Sequence, residues 1–411
     1  MGDLTGDGEP YRPCGPLPHL RMRKQGPDGR TVPVSCERVE GRWKIMKFVC
    51  SGMALSEGLR RVSGALPTRT VNQVLEGVKI VTLDGGVRLT ASDERTTIVT
   101  DVPATVEEEG SGVAPGKLLG EVVRGLVNGD VTVSMNNRFV FTVKGGDSRT
   151  NLAGQDAELF PALTVDAGEI ALELPQGMLK RMIEKTAFCV ATEDMREVLT
   201  GALLECKRGD MCMVGLDGFR MAVCKGVTCA EDCAAIIPGK ALMDLGKLLG
   251  DDMAEMVQLS IGGGKLMANV AGTVFYATLI EGEFVNWRGI MPKSYATRAT
   301  VGVDALRRAV DRASLIARQG NNNLVVLRMH GDEMAVESKS QIGDVHEAVS
   351  MALEGAELDI AFNVKYISDA LRSVAGDEVT LNMNGAISPC TMSGDDDVIY
   401  MVLPVRTGAT G

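Results

Sequence analysis

The sequence is poor in aromatic residues and histidine, and it lacks the motifs that mark most enzymes. Only 4% of its 411 residues are Phe, Trp or Tyr, and only 3 are histidine. It has no G-x-S-x-G, H-E-x-x-H, P-loop or dinucleotide-binding glycine motif, so it offers no recognisable nucleophile, zinc site or phosphate cradle. Because histidine is the most frequent acid–base catalyst, we expect a protein with no catalytic residue, no metal and no cofactor.

Long hydrophobic runs are also absent. No apolar run approaches the length of about 18 residues that crosses a membrane, and the N-terminus lacks the apolar segment of a secretion signal. We therefore expect a cytoplasmic protein without a membrane partner. The formal net charge of −11 at first argues against a nucleic-acid partner as well.

The ten cysteines include no C-x-x-C pair. The interpretation that we favour is reduced, half-buried thiols on strands. A zinc site is the alternative, and its ligands would come from Cys206, Cys212, Cys224, Cys229 and Cys233.

Residues 1–46 differ from the rest of the chain. They contain six of the fifteen prolines and show no hydrophobic periodicity. We predict a flexible N-terminal extension, with the folded sequence beginning around MKF (46–48).

The remaining sequence repeats itself three times. Each repeat contains a helix pattern that is followed by a turn and an alternating strand. These segments are PGKLLGEVVRGLVNGDVTVSM (115–135), PGKALMDLGKLLGDDMAEMVQLSI (238–261) and NVKYISDALRSVAGDEVTLNM (363–383). They begin 123 and 125 residues apart, a regularity that indicates a triplicated unit.

A second helix pattern precedes each of these segments, at 54–66, 175–189 and 303–317. The intervals between the helices alternate like strands. We therefore predict an α+β protein of three repeated units with two helices and about eight strands each. The predicted domains are 47–169, 170–293 and 294–407.

Positive charge is concentrated on the six predicted helices. Every one of them carries a net positive charge, and the total is +8 when it is counted over 54–66, 115–127, 175–190, 238–250, 303–318 and 363–375, which leaves −19 for the rest of the chain. This distribution indicates a shared basic surface that contacts duplex phosphates without reading the bases. The scarcity of aromatic residues argues against single-strand binding by base stacking.

The stretch VGLDGFRMAV (214–223) places Asp217-Gly218 between two apolar runs, which is typical of a two-residue hairpin loop. Leu216, Phe219 and Arg220 flank this loop. The pattern alone leaves open whether the segment is only a turn or also presents a binding surface.

From Met46 to Thr407 the chain resembles the bacterial β sliding clamp family, the processivity subunits of the replicative DNA polymerase. The resemblance is carried by the order and spacing of MKF, LDGFRMAV, IIPGKALMDLGKLL, EGEFVNWRGIMPK, FNVKYISDALRSV and YMVLPVR. It implies a head-to-tail homodimer whose six domains close a ring, with helices lining the pore and antiparallel sheets outside. The implied partners are double-stranded DNA, the DNA polymerase catalytic subunit, the clamp loader, and repair and translesion polymerases that carry a linear clamp-binding motif.

The resemblance also answers the question that the hairpin raises. In the family, this segment forms one wall of a cleft that takes a short linear peptide from partner proteins. The residues at the cleft positions here are Leu199, Leu216, Gly218, Phe219, Arg220, Met221, Val285, Ile290, Met401, Val402, Leu403, Pro404, Val405 and Arg406. Leu216 and Phe219 replace a Thr and a His that are common in the family. We therefore expect a more apolar cleft, with Arg220 and Arg406 at its polar rim.

Further residues are expected at the pore and at the subunit contact. The candidates for phosphate contacts are Arg69, Lys117, Arg124, Lys180, Lys185, Lys240 and Arg307. By family position, Leu315 and Ile316 should meet the partner subunit near Leu152, which is also expected at the subunit contact. Two alternatives stay open, a diverged second clamp copy that serves a specialised polymerase and an unrecognised hydrolase on a triplicated scaffold.

Overall fold

A computed structural model describes residues 45–162, 170–229, 231–320, 323–395 and 397–406. The predicted N-terminal extension falls almost entirely outside the described residues, so that prediction stays untested. The first strand begins at Met46, which is fully buried. This strand begins within MKF (46–48), the segment where we expected folded sequence to begin.

Helices occur where all six helix patterns predict them. The described α-helices are α1 (Gly52–Val62), α2 (Gly116–Arg124), α3 (Gln176–Thr186), α4 (Gly239–Gly246), α5 (Trp287–Ile290), α6 (Val303–Ala317) and α7 (Val364–Ser373). Only the short α5 was not predicted. Helix α6 shows why the pattern is reliable, because its buried residues recur at helical spacing from Val303 through Leu306 and Val310 to Ala317.

The strands fall into the three predicted repeats. Those of the first repeat are β1 (Met46–Ser51), β2 (Gly77–Leu83), β3 (Gly86–Ser92), β4 (Thr96–Pro103), β5 (Thr105–Glu108), β6 (Ser111–Pro115), β7 (Asp130–Met135), β8 (Val140–Gly145) and β9 (Ser148–Ala153). Those of the second are β10 (Ile170–Pro175), β11 (Gly201–Lys207), β12 (Asp210–Leu216), β13 (Arg220–Thr228), β14 (Cys233–Pro238), β15 (Met256–Gly262), β16 (Lys265–Val270) and β17 (Thr273–Thr278). Those of the third are β18 (Thr297–Gly302), β19 (Leu324–His330), β20 (Glu333–Ser340), β21 (Gly343–Gly355), β22 (Leu358–Asn363), β23 (Glu378–Met383), β24 (Cys390–Asp395) and β25 (Val398–Val402).

The strands form three sheets, and two of these sheets run from one repeat into the next. The first sheet has the order β5-β1-β7-β8-β9 and lies within the first repeat. The second has the order β10-β15-β16-β17-β4-β3-β2-β6, and the third has the order β14-β11-β12-β13-β25-β24-β23-β18-β21-β20-β19-β22. The predicted α+β class with antiparallel sheets is confirmed. Neighbouring repeats contribute strands to the same sheet and are therefore continuous with one another.

Each junction between repeats is one antiparallel strand pair. Strand β17 of the second repeat pairs with β4 of the first, with Phe275 opposite Ile98. Strand β25 of the third repeat pairs with β13 of the second, with Met401 opposite Met221. In both junctions, the last strand of one repeat adds to the strand that follows a tight turn in its neighbour.

The helices and the inner faces of the sheets bury one large apolar core. A second, smaller apolar cluster lies apart from that core and contains residues of β11, β12, β13, β14 and β25. Partly buried residues of the segment that includes α5 pack on this second cluster. Among the described residues, none of the helices is both long and apolar enough to cross a membrane.

Candidate peptide cleft and nucleic-acid surface

The hairpin predicted from VGLDGFRMAV connects β12 to β13, but its loop lies one residue later than expected. Asp217 donates its backbone N–H to the carbonyl of Arg220, so Gly218 and Phe219 are the two central residues. Gly218 adopts a φ of +85°, which favours glycine. Asp217 Oδ1 accepts hydrogen bonds from the backbone N–H groups of Phe219 and Arg220, both at 3.0 Å. An Asp before a turn stabilises the turn that follows it. The loop therefore lies after Asp217 and does not include it.

Five of the fourteen predicted cleft residues meet at the second apolar cluster. Leu199, Leu216, Met221 and Met401 are buried in it, and Val285 packs against it. Ile290, at the end of α5, is 43% exposed and is absent from the cluster. Three of these buried cleft residues lie on strands β12, β13 and β25, which belong to two repeats.

The C-terminal run crosses the same region. Met401 and Val402 are the last two residues of β25 and are buried. Leu403 donates its backbone N–H to the carbonyl of Phe219 at 2.8 Å, and Val405 donates to the carbonyl of Ala361 at 2.8 Å. The tail thus runs from the hairpin towards β22, with Pro404 half-buried and Arg406 exposed.

Arg220 does not lie at a polar rim, which corrects our expectation. Its side chain is only 7% exposed. It donates to Asp217 Oδ2 at 3.0 Å, to Asp369 Oδ2 at 2.5 Å and to the carbonyl oxygen of Phe188 at 2.7 Å. Because Asp369 belongs to α7 and Phe188 follows α3, Arg220 ties the cleft hairpin to helices of two repeats.

Aromatic rings complete this arrangement. The Arg220 guanidinium lies 5.5 Å from the ring centroid of Phe188 and 4.9 Å from that of Tyr366. Phe219, which is 59% exposed, stacks on Tyr366 with the centroids 5.9 Å apart. Burial alone lowers the pKa of Arg220, but its hydrogen bonds and the nearby carboxylates raise the pKa above its usual value. The arginine therefore stays charged beneath an exposed aromatic surface.

Three of the predicted phosphate-contacting residues share one groove between the first and second repeats. Lys117, Arg124 and Lys240 line this groove, which has a volume of about 770 Å³ and also contains Arg60 and Lys247. Helices α1, α2 and α4 supply its walls. The groove concentrates positive charge, as the sequence predicted for the helices.

The other predicted cations lie elsewhere. Lys180 lies 2.7 Å from Asp251, and Arg307 lies 2.5 Å from Asp304. Lys185 donates a hydrogen bond to the carbonyl of Ser373 at the end of α7, and Arg69 is exposed. Ion pairs with nearby carboxylates reduce the attraction of the first two for phosphate.

Lys240 is compensated in the same way. Burial alone lowers its pKa, but hydrogen bonds and charge from Asp93 and Asp244 raise the pKa above its usual value. Its amino group lies 2.7 Å from Asp93 and 3.1 Å from Asp244. Lys117 and Arg124 are exposed and have no carboxylate within ion-pair distance in the described ranges, so they are the stronger candidates.

The residues predicted for the subunit contact fall into two classes. Leu315 is 64% exposed on α6, and Ile316 beside it is half-buried. Leu152 is only 4% exposed and packs in the core of its own repeat, opposite Phe141 of β8. A subunit contact near Leu152 would therefore use the free edge of β9 and not this side chain.

Of the eight described cysteines, seven are buried rather than half-buried. Burial raises the pKa of Cys50 and of Cys212 to about 11. The described part of the chain contains no group of three or more His, Cys, Asp or Glu residues placed to hold a metal ion.

Sequence reasoning missed the residues that support the cleft from outside the motifs. Phe188, Tyr366 and Asp369 hold Arg220, and Trp287 and Met291 cover the second cluster. Asp369 lies 149 residues from Arg220 in the sequence, so no local pattern could reveal that pair. Only the unusual placement of an arginine beside a tight turn hinted at it.

Comparisons with known proteins agree with this architecture. Family models of the DNA polymerase III beta subunit match three consecutive parts of the chain, the N-terminal domain at 46–164, the central domain at 173–286 and the C-terminal domain at 288–406. The beta sliding clamp of Bacillus subtilis (strain 168) is 32% identical over 378 residues, which cover 88% of this chain and 100% of the relative. That of Staphylococcus aureus (strain Mu50) is 33% identical over 357 residues, which cover 84% and 94%.

Solved structures give the same result. The DNA polymerase sliding clamp from Bacillus subtilis superposes with a TM-score of 0.83 at 31% identity, and the match covers 88% of this chain and 100% of that one. A sliding clamp from Pseudomonas aeruginosa bound to griselimycin gives a TM-score of 0.81 at 25% identity, again with 88% and 100% covered. The chain therefore belongs to the β sliding clamp family, the processivity subunits of DNA polymerase III.

Proposed function

We propose that two copies of this chain form a closed cytoplasmic ring that encircles duplex DNA without sequence specificity and without catalytic activity. The ring tethers the polymerase catalytic subunit, the clamp loader, and repair and translesion polymerases through the cleft between domains 170–293 and 294–407. The first domain of each subunit is 47–169. The observation that carries the proposal is the strand pairing between repeats, because the same pairing can be made once more between subunits.

Two strands that have open edges, β9 and β21, are equivalent to those that join the repeats. Strand β9 ends the first sheet and corresponds to β17 and β25, the last strands of the other repeats. Strand β21 corresponds to β4 and β13. Within the described residues, its first part, 343–350, pairs with β20 on one side only. An open strand edge favours pairing with another chain, and a head-to-tail contact that repeats and closes gives a ring.

The repeat equivalence also gives the register of this contact. Ala222 is the third residue of β13 and pairs with Tyr400, and Ile98 is the third residue of β4 and pairs with Phe275. The matching residues at the open edges are Val345 of β21 and Thr150 of β9. Arg149 would then lie opposite His346 of the partner subunit.

The basic helices supply the DNA-facing surface of this ring. Twelve helices spaced about 9–10 Å apart give an opening of roughly 27 Å after the helix radii are subtracted. That opening admits a duplex about 20 Å wide with a water layer. Lys117 and Arg124 are the phosphate-contacting residues that the local charges favour most.

The cleft accounts for partner binding. A linear peptide would bury about two apolar side chains against the second cluster, each contributing roughly 1.5–3 kcal/mol. After the cost of association, micromolar affinity results, which allows partners to exchange on one ring.

The test is topological. Clamps loaded on a nicked circle should resist high salt, and they should be released when the circle is linearised. Light scattering on the free protein should give twice the chain mass of 43.7 kDa. A monomer at tens of micromolar, or retention on linear DNA with open ends, would contradict the proposal.

A further inference from the structure

A second cavity lies on the outer face of the third sheet, beside the peptide cleft. Its volume is about 410 Å³. Strands β12, β13 and β25 supply part of its lining, and the segment that contains α5 supplies the rest. The lining residues that matter here are Cys212, Val223, Lys225, Trp287, Arg288 and Ile399.

This cavity continues the apolar surface of the cleft. Cys212 and Val223 belong to the same buried cluster as Leu216 and Met221, and Trp287 packs on that cluster. Along β13, Met221 of the cleft is followed two residues later by Val223 and then by Lys225 of the cavity. At about 3.3 Å per residue, four residues of strand separate Met221 and Lys225 by roughly 13 Å. An extended peptide held in the cleft needs only about four more residues to reach the cavity.

The charges in the cavity favour an anion at a defined place. Lys225 is exposed and has no carboxylate within ion-pair distance among the described residues. Arg288 is already neutralised by Glu205 at 2.5 Å. Asp210 lies at the far end, where it pairs with Thr228. A peptide that leaves the cleft therefore meets the apolar residues first and the free cation next.

Trp287 adds a hydrogen-bond donor without an acceptor. Its Nε1 is buried and has no partner in the part of the chain that the structure describes. The guanidinium of Arg288 lies 4.2 Å from its ring centroid, which fixes the indole beside the cavity. A buried donor without a partner is costly, so a carbonyl or carboxylate oxygen brought into the cavity would stabilise it after a small rotation of the ring.

We propose that this cavity, which we name the flank pocket, binds the residues that flank the linear motif of a partner peptide. It selects an apolar side chain followed by a carboxylate. The proposal rests on the peptide cleft described under the proposed function and assigns that cleft an additional determinant of partner specificity.

The experiment uses fluorescence anisotropy with the full chain and labelled peptides. The parent peptide is a short QLxLF-type motif. Two longer peptides carry Ser-Ser-Leu-Glu at the N-terminal or at the C-terminal end, and matched peptides carry Ser-Ser-Leu-Lys or four serines. One of the two Leu-Glu peptides should bind about fivefold to tenfold more tightly than the parent, because it adds one apolar contact and one ion pair. The four-serine peptide should bind like the parent.

The variant Lys225→Glu should remove the part of this gain that depends on the carboxylate, so that the Leu-Lys peptide binds more tightly than the Leu-Glu peptide, while the short peptide binds as before. Arg138→Glu, at an exposed cation in a turn of the first repeat, is the matched control and should change neither affinity. If the short peptide binds but neither extension improves affinity, or if Lys225→Glu still binds the Leu-Glu peptide more tightly than the Leu-Lys peptide, the flank pocket is wrong and the cleft stands. If the short peptide itself fails to bind, both assignments are overturned.

Discussion

The junctions inside the chain and the junction proposed between subunits use the same strand geometry but different side chains. Inside the chain, the paired positions on the outer face are apolar, such as Val223 opposite Ile399. At the open edges the equivalent pair is His346 and Arg149. The third repeat also presents Asp344 there, on an exposed strand position. One architecture thus gives a mostly apolar junction within the chain and, in the proposed ring, a polar and separable junction between chains.

The junction between the second and third repeats has an additional contact that the open edges lack. Arg220 joins Asp217 of the hairpin to Asp369 of α7 in a largely buried ion pair. Because the same hairpin forms the cleft wall, the integrity of this junction and the shape of the peptide site depend on one guanidinium.

Removing that guanidinium should have the largest effect. The variant Arg220→Ala leaves two mostly buried carboxylates without their cation, and such losses cost about 3–5 kcal/mol. Urea unfolding should show this loss of stability together with weaker peptide binding. The control is Arg88→Ala, which removes an exposed pair with Asp101 and should cost less than about 1 kcal/mol. Equal effects of the two variants would contradict the structural role of Arg220.

The subunit junction should break more easily and without unfolding. In the proposed register Asp344 of the partner subunit is the diagonal neighbour of Arg149, so Arg149→Glu replaces an attraction with a repulsion between carboxylates and should raise the dimer dissociation constant by at least about tenfold. Raising salt from about 0.05 M to about 0.5 M should weaken the parent dimer through screening, while the midpoint of unfolding stays nearly constant. Analytical ultracentrifugation measures the dimer dissociation constant, and circular dichroism measures the midpoint of unfolding. A dimer that is indifferent to salt would contradict a polar junction.

Charge introduced on α6 should have a similar effect. Leu315 is 64% exposed, so Leu315→Glu or Ile316→Glu should split the ring without unfolding the subunit. Ile387→Glu, at an isoleucine that is 67% exposed in the turn between β23 and β24, is the control and should leave the dimer intact in light scattering. Dimers of unchanged affinity in both α6 variants would remove these residues from the subunit contact.

Deleting the C-terminal tail should weaken peptide binding and leave the subunit junction intact. Without residues 403–407 the cleft loses the segment that Leu403 anchors to the carbonyl of Phe219. Affinity for a QLxLF-type peptide should fall by more than about tenfold, and the dimer should persist. Phe219→His, which keeps a ring over Tyr366, should change affinity less than the deletion does. Tail-deleted protein that binds as tightly as the parent would show that the cleft lies elsewhere.

The salt dependence of DNA binding should decrease most when the substituted lysine has no carboxylate partner. Lys117→Ala should reduce the salt slope of direct DNA binding by about 0.9. Lys240→Ala should reduce it less, because Asp93 and Asp244 already neutralise that lysine. Filter binding over a salt series measures both slopes. The reverse order would mean that these ion pairs open on DNA.

The smallest expected effect concerns the reactivity of the cysteine thiols, which tests whether the internal junction stays closed when the dimer dissociates. Burial raises the pKa of Cys212 to about 11, so at pH 8 this cysteine stays a protonated, unreactive thiol. Cys229 is only half-buried and should react before the other cysteines that the structure describes when alkylation is mapped by mass spectrometry. Dilution to monomers should not accelerate the reaction of Cys212, because the internal junction stays closed. Faster labelling on dilution would mean that the two junctions open together.

The sequence predicts the repeats and the helices well, because hydrophobic periodicity is local. The hairpin loop was misplaced by one residue because Asp217 caps the turn with its side chain. The role of Arg220 was missed for a different reason, since its partner Asp369 belongs to another repeat. The strand pairing between repeats is equally non-local, so the sheet order leaves no local pattern in the sequence. The same holds for the ion pair in which Asp93 neutralises the charge of Lys240. The domain boundaries and the individual site residues stay predictions.

The central claim is that β9 and β21 of two subunits pair in the register that the internal junctions define. The double variant Thr150→Cys with Val345→Cys tests it directly, because directly opposed residues of antiparallel strands lie about 4.5–5.5 Å apart, within disulfide reach. Mild oxidation should give a covalent dimer of twice 43.7 kDa that stays on circular DNA under denaturing conditions. The pair Thr150→Cys with Glu347→Cys, two residues out of register, should remain largely uncrosslinked. Monomers after oxidation of the first variant, or equal crosslinking of both, would contradict the account.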